Sequence, residues 1–347
     1  MSQSESPNEP AGPAGHHLGF LLLPSFNAGA TTAAIDPFRV ANYLSARRLY
    51  RWTLVSPDGA PVLASNGMTI GADCALAARP AVDMLFVCSS WAPERHKDKA
   101  LFAWLRKLAR AGITLGAIDT GAIVLAQAGL LKGYQATVHF EHLDALQELF
   151  PDVDAREQIF VIDRDRVTCC GNNASSDLAL EIIRLHHGLD LANAAARYLF
   201  HERLRAPGES QLHPAHEPVG SAVPRKLLKA IHLMERNIDE PLELAALARE
   251  AGLSLRHMER LFRDQTGASP GRYYLNLRLD RARGLITQTQ MQVLEVAVAC
   301  GFASPEHFTR VYKRRFAISP RDDRVAGRIP FQFRTLPLHA SVPDVSS

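Results

Sequence analysis

Arg256, His257 and Arg260 are spaced to share the outer face of one helix, and Glu306, His307 and Arg310 repeat that arrangement later in the chain. Arginine can give two hydrogen bonds to a guanine edge, and glutamate can accept one from cytosine, so these residue types suit the reading of base edges. Arg263, Lys313 and Arg314 follow at positions suited to phosphate oxygens. Any one of these residues is unremarkable on a solvated helix, and Glu259 is at helical spacing to partner Arg263. The recurrence of the whole set is what points to a double-stranded DNA partner.

The elements that must position these side chains are themselves duplicated. Residues 244–270 read LAALAREAGLSLRHMERLFRDQTGASP, and residues 293–320 read VLEVAVACGFASPEHFTRVYKRRFAISP. Leu244, Leu247, Ala248, Ala251 and Gly252 recur as Val293, Val296, Ala297, Cys300 and Gly301. After one extra residue, Ala303, the residues Ser254, His257, Met258, Arg260 and Phe262 recur as Ser304, His307, Phe308, Arg310 and Tyr312. Each copy predicts a short helix, a turn opened by glycine, a serine N-cap and a second helix. Met258, Leu261 and Phe262, with Phe308, Val311 and Tyr312, are predicted core. This is a helix-turn-helix pattern in tandem, joined by a helix from Arg272 to about Ile286, which would enter successive major grooves about 34 Å apart.

Charge divides the chain in the same place. Residues 223–328 hold 19 Lys+Arg against 12 Asp+Glu, a net of +7, so a total of +3 leaves −4 elsewhere. The basic part suits a polyanion. Hydrophobic residues at 47% and charged residues at 22% of 347 are those of globular domains, and the length allows two of them. No apolar run approaches the roughly 20 residues of a membrane helix. Five cysteines without CxxC spacing argue for a reducing, cytoplasmic setting and against a disulfide framework. Cys169-Cys170 is read as a pair of buried thiols. His16-His17 and the pair His213 and His216 are read as solvated, with no metal site and no cofactor.

Before residue 206 strand-like runs alternate with helical patterns. The runs are LGFLLLP at 18–24, RWTLVSP at 51–57, MLFVCSS at 84–90, ITLGAID at 113–119, FVIDRD at 160–165 and VTCCG at 167–171. Helical patterns are at about 32–46, 97–111, 121–129, 141–149 and 175–188. Alternation predicts a mainly parallel sheet covered on both faces. The division expected is a disordered leader at 1–15, an α/β domain at 16–205, a linker at 206–222, an all-α domain with two helix-turn-helix motifs at 223–328, and a flexible tail at 329–347.

The duplicated segment resembles the AraC/XylS family of transcription regulators in Gly301-Phe302, His307-Phe308, the run Tyr312-Lys313-Arg314-Arg315-Phe316 and Ser319-Pro320. Ala317 departs from the family's usual glycine, and Asp322-Asp323 from a common tyrosine. Residues 113–140, ITLGAIDTGAIVLAQAGLLKGYQATVHF, resemble the ThiJ/PfpI branch of the class I glutamine amidotransferase-like superfamily. That resemblance implies a flavodoxin-like sandwich and a strained turn that carries a cysteine nucleophile in the family's enzymes. Here the turn residue is Asp119, followed by Thr120. His139 takes the family histidine position, and Asp36 falls where the family has a pocket acid. A carboxylate cannot do thiolate chemistry, so the domain is expected not to be an enzyme.

Together the two halves resemble the GlxA-like regulators, and the resemblance spans nearly the whole chain. It implies a homodimeric regulator, an activator that contacts RNA polymerase, with a small cationic metabolite as effector. The catabolism of glycine betaine, carnitine or arginine is the kind of process implied. Asp119 and Asp36 would supply negative charge, and Trp91 and Phe26 an aromatic face for a cation. Bland roles stand beside these: packing for Trp91 and Phe26, an internal hydrogen bond for His139, and a helix start for Asp36-Pro37; Asn172-Asn173 can be turn residues or pocket donors, the turn being favoured. The alternatives are a dimerisation scaffold alone, or a hydrolase-type activity of Asp119 and His139.

Overall fold

The computed structural model describes residues 15–201, 203–211 and 224–326. Most of the expected leader, the later part of the expected linker with His213 and His216, and the expected tail lie outside these residues. The chain forms two compact units. Among the described residues, one is built from 15–139 and Asp152–Glu209, and the other from Phe140–Pro151, 210–211 and 224–326.

The strands are β1 (His16–Leu22), β2 (Tyr50–Ser56), β3 (Val62–Leu63), β4 (Thr69–Ile70), β5 (Cys74–Ala75), β6 (Met84–Ser89), β7 (Thr114–Asp119), β8 (Gln135–Ala136), β9 (Asp154–Ala155), β10 (Phe160–Asp163) and β11 (Arg166–Cys169). The helices of the first unit are α1 (Ala28–Ser45), α2 (Lys99–Arg110), α3 (Gly121–Gln127), α5 (Ala174–His187) and α6 (Leu189–Tyr198). Those of the second are α4 (Leu143–Leu149), α7 (Arg225–Glu235), α8 (Leu244–Glu250), α9 (Leu255–Thr266), α10 (Pro270–Gln288), α11 (Val293–Ala299), α12 (Pro305–Phe316) and α13 (Pro320–Ala326).

Seven strands make one sheet in the order β10-β11-β7-β6-β1-β2-β5. All its pairs are parallel except β10 with β11. β1, β6 and β7 lie in the middle as near-continuous apolar runs, as a sheet covered on both faces requires. Gly116 in β7 makes room for the Phe86 ring, because a Cβ there would lie 2.2 Å from it, and Phe86 in turn stacks on Phe20. The parallel sheet matches the sequence expectation. The final antiparallel hairpin and α6 were not separately anticipated.

Helix α1 starts earlier than Asp36-Pro37 suggests. Asn27 is its N-cap, accepting from the Ala30 amide, and Pro37 lies inside the helix. An internal proline leaves the carbonyl four residues back without its helical donor. The Ser176 hydroxyl of α5 donates to that Ala33 carbonyl at 2.9 Å, so the helix tolerates the proline.

In the second unit Met258 and Phe262 of α9, and Phe308, Val311 and Tyr312 of α12, are all buried, as expected; Leu261 is only partly so. α10 runs between the two helix-turn-helix copies and contributes Leu279, Ala282, Leu285 and Ile286 to the second core.

Candidate functional site

The end of β7 is built around one strained residue. Asp119 has φ 61° although it is not glycine, and it is 3% exposed. Such a conformation costs roughly 1–2 kcal/mol for an ordinary side chain and persists only where its surroundings over-determine it. The surroundings are clear. Asp119 pairs in register with Ser89 of β6, and its carbonyl accepts from the His139 amide at 3.3 Å. Gly121 follows where an added Cβ would stand 2.1 Å from the Val87 carbonyl oxygen, so only glycine lets α3 leave the strand at that angle. Gly171, at φ 96°, packs its backbone directly on Asp119.

Asn27, which sequence reasoning did not assign to the site, holds the carboxylate, and Asn172, read there as a turn residue or a pocket donor, stands beside Asn27. Asn27 donates Nδ2 to Asp119 Oδ2 at 2.8 Å, and the same nitrogen lies 3.2 Å from Asn172 Oδ1. Asn172 is left-handed, φ 49°; it is both the turn residue expected and a polar neighbour of the elbow. Asn27 had a signal of its own, as the asparagine before an apolar helical stretch.

The other candidates distribute unevenly. Thr120 is buried and donates its hydroxyl to the Ser90 carbonyl at 2.6 Å, while Ser90 bridges Phe26. Phe26, Ser90, Trp91, Asp119, Thr120 and His139 therefore gather at the C-terminal edge of the sheet, where a parallel fold delivers its ligand-facing residues. Phe26 is 1% exposed and belongs to the main core, which favours its packing role. Trp91 is half-buried. Asp36 is placed elsewhere. It pairs with Arg39 at 2.6 Å and lines a groove of about 500 Å³ with Thr32, Asn173, Phe200 and His201, a groove whose walls do not include Asp119.

The nearby thiols are not prepared for nucleophilic work. Burial pushes the Cys88 thiol up to about 12, with the Asp119 charge adding to the effect. Burial raises Cys169 well above its ordinary value.

The second unit presents the other candidate face. Arg256, His257, Arg260 and Arg263 on α9, and Glu306, His307, Arg310, Lys313 and Arg314 on α12, are all exposed. Ser254 and Ser304 cap the two helices by accepting from the amides of His257 and His307. The copies differ in detail. On α12 the Ser304 hydroxyl donates to Glu306 and holds its carboxyl below the usual range. Arg310 Nη2 lies 3.0 Å from His307 Nδ1. Arg278 of α10, which the sequence did not single out, donates to the Cys300 and Gly301 carbonyls and lies over the Phe302 ring. It fixes the second turn. Asp323, one of the two departures after α12, accepts from Tyr312 and Arg283 and is buried.

Comparison with known proteins agrees with both halves. Residues 26–185 match the DJ-1/PfpI family, and residues 247–325 match a helix-turn-helix domain. The HTH-type transcriptional regulator CdhR of Pseudomonas aeruginosa is 45% identical over 305 residues, covering 88% of this chain and 90% of that protein. GbdR of the same species is 43% identical over 307 residues, 88% of this chain and 83% of its own length. GlxA of Rhizobium meliloti is 37% identical over 304 residues, 87% and 94% of the two chains. With an elbow-bearing DJ-1/PfpI unit followed by two AraC-type helix-turn-helix motifs, the chain belongs to the GlxA-like family of DNA-binding transcriptional regulators.

Proposed function

We propose that this regulator senses a small cationic metabolite at the Asp119 elbow and activates transcription in response. The observation that carries the reading is the Asp119 carboxylate, held in a strained backbone conformation where the family's enzymes keep a nucleophile. A carboxylate in that position favours an ammonium or quaternary ammonium group, and Trp91 supplies an aromatic face at the same sheet edge. Thr120 and His139 complete the contact set. The amine and amino-acid-derived compounds implied by the family resemblance, of the glycine betaine, carnitine or arginine kind, have this chemistry. Asp36 would act at the separate groove, as a peripheral acid.

On this reading the first unit is a catalytically silent sensor that also dimerises. The second unit binds tandem major-groove half-sites and contacts RNA polymerase, in the cytoplasm. No helix among the described residues is long and apolar enough to cross a membrane. The effector must bind two states of the regulator with different affinity, because only that difference shifts the equilibrium. Thermal-shift measurement of the full chain against betaines, carnitine, arginine and polyamines tests the reading. Stabilisation by a cationic compound that disappears in Asp119→Asn supports it. Absence of any stabilisation leaves the unit as a dimerisation scaffold, and turnover of the added compound would point to a hydrolase.

A further inference from the structure

The sheet has a second polar cluster at its opposite edge. His16 opens β1, and in register with it Tyr50 opens β2. His186 and His187 close α5. One ring nitrogen from each of His16, His186 and His187 lies within 4.8 Å of the other two. The rings of His16 and His186 stack with centroids 4.0 Å apart. Sequence reading takes His16 as solvated, because 170 residues separate it from its neighbours and only the fold joins them.

We propose that His16, His186 and His187 form a binding site for one divalent transition-metal ion of the zinc class. Three neutral imidazoles with no carboxylate suit zinc, copper, nickel or cobalt and suit magnesium or calcium poorly. A tetrahedral ion with bonds of about 2.0–2.1 Å needs its nitrogens about 3.3 Å apart and each ring plane aimed at it, so binding would turn the half-exposed His16 and the exposed His186 out of their stacked arrangement. Water would take the fourth position.

Two features of the surroundings support it. The Tyr50 hydroxyl lies 3.1 Å from His186 Nδ1, and by accepting that proton it would leave Nε2 to face an ion, the kind of outer partner that ligating histidines commonly have. The cluster stands at the C-terminus of a 14-residue helix, whose last carbonyls favour a cation. Arg47 opposes a dication there, so the site would rely on its bonds rather than on net negative charge.

The site is distinct from the elbow. β1 begins at the histidines, and the strands run toward Asp119. Some seven residues at about 3.3 Å each place the two roughly 20 Å apart. A bound ion would tie the first strand to the end of α5 and make the stability of the sensor unit metal-dependent.

Full-length protein stripped with chelator and titrated with ZnCl₂, and separately with CoCl₂, tests the proposal. The expected results are one tight equivalent per chain, a visible cobalt spectrum of nitrogen-ligated tetrahedral type, and a raised melting temperature. His16→Ala and His187→Gln should each weaken that equivalent at least tenfold. His232→Ala, which alters an exposed histidine of α7, should leave it intact. If either site variant folds and still holds the tight equivalent, or if the native protein has none, the proposal is overturned.

Discussion

The amide of Asn27 ties the start of α1 to the carboxylate of Asp119, across 92 residues of sequence, with a 2.8 Å hydrogen bond. The same side chain caps the helix through its oxygen. One asparagine therefore couples the position of α1 to whatever occupies the elbow. An effector that pulls on the carboxylate must act against this bond or through it.

Asp119→Asn keeps the size of the side chain and a residue type that tolerates the left-handed region. It removes the charge. The expected outcome is a loss of at least tenfold in cationic effector affinity, worth 1.4 kcal/mol or more, with effector-free DNA binding unchanged. Isothermal titration and DNA binding measured side by side check this. Asn27→Ala should also lose the helix cap, at about 1 kcal/mol, so its melting temperature should fall where that of Asp119→Asn need not.

Much of this arrangement was legible in the sequence, for physical reasons. Short continuous apolar runs carried the parallel sheet and period-3.6 patterns the helices, because a strand buried on both faces and a helix buried on one leave different signatures in the residue types. The duplicated motif carried the reading face. Asn27 was not assigned to the elbow, and for Asn172 the turn role was favoured over that of a pocket donor, because both roles depend on contacts with residues distant in the chain. Asp36 illustrates the converse. Its position in the sequence suggested the elbow pocket, yet the helical phase of α1 turns it onto Arg39 and a different groove. Pro37 misled in a similar way, since the hydroxyl that compensates for it comes from Ser176 on another helix.

The two turn glycines are equivalent in sequence and unequal in space. Both are left-handed, Gly252 at φ 70° and Gly301 at φ 71°. A Cβ on Gly252 meets nothing within 4 Å, whereas one on Gly301 would lie 2.5 Å from the Ile238 carbonyl oxygen and 2.7 Å from Pro241 Cδ. Gly252→Ala should therefore cost only the conformational penalty of about 1–2 kcal/mol. Gly301→Ala adds a clash with backbone and should cost at least about 1 kcal/mol more. Denaturant unfolding of the two variants checks the order, and equal losses would contradict it.

Ala317 ends α12 in the left-handed region, φ 58°, where the first copy has Gly267 at φ 67°. Its amide still closes the helix on the Lys313 carbonyl. Alanine is strained there and glycine is not. Ala317→Gly should stabilise the chain, by roughly 0.5–1 kcal/mol once the extra freedom of glycine in the unfolded state is counted against it. A higher unfolding midpoint with unchanged denaturant dependence is the expected result. A lower midpoint would mean that the helix end is held in place by contacts that Ala317 makes with its methyl group.

The two reading helices share a scaffold and differ in what they offer. α9 presents Arg256, His257 and Arg260, while on α12 Arg310 lies against His307, and Glu306 is held by Ser304. Arg260 is the freer to adapt to a base edge. Arg310 is pre-positioned, and the groove it enters must accept that geometry. Arg260→Ala and Arg310→Ala should each weaken binding to the specific operator by about 1–3 kcal/mol and relax preference at one base pair, each in a different half-site. Arg263→Ala and Lys313→Ala should instead weaken specific and random DNA alike and lower the salt dependence by about one phosphate contact. Binding measured across operator variants at two salt concentrations separates these outcomes. If Arg310→Ala weakens random DNA as much as the operator, Arg310 is a phosphate ligand, and the second half-site is read without it.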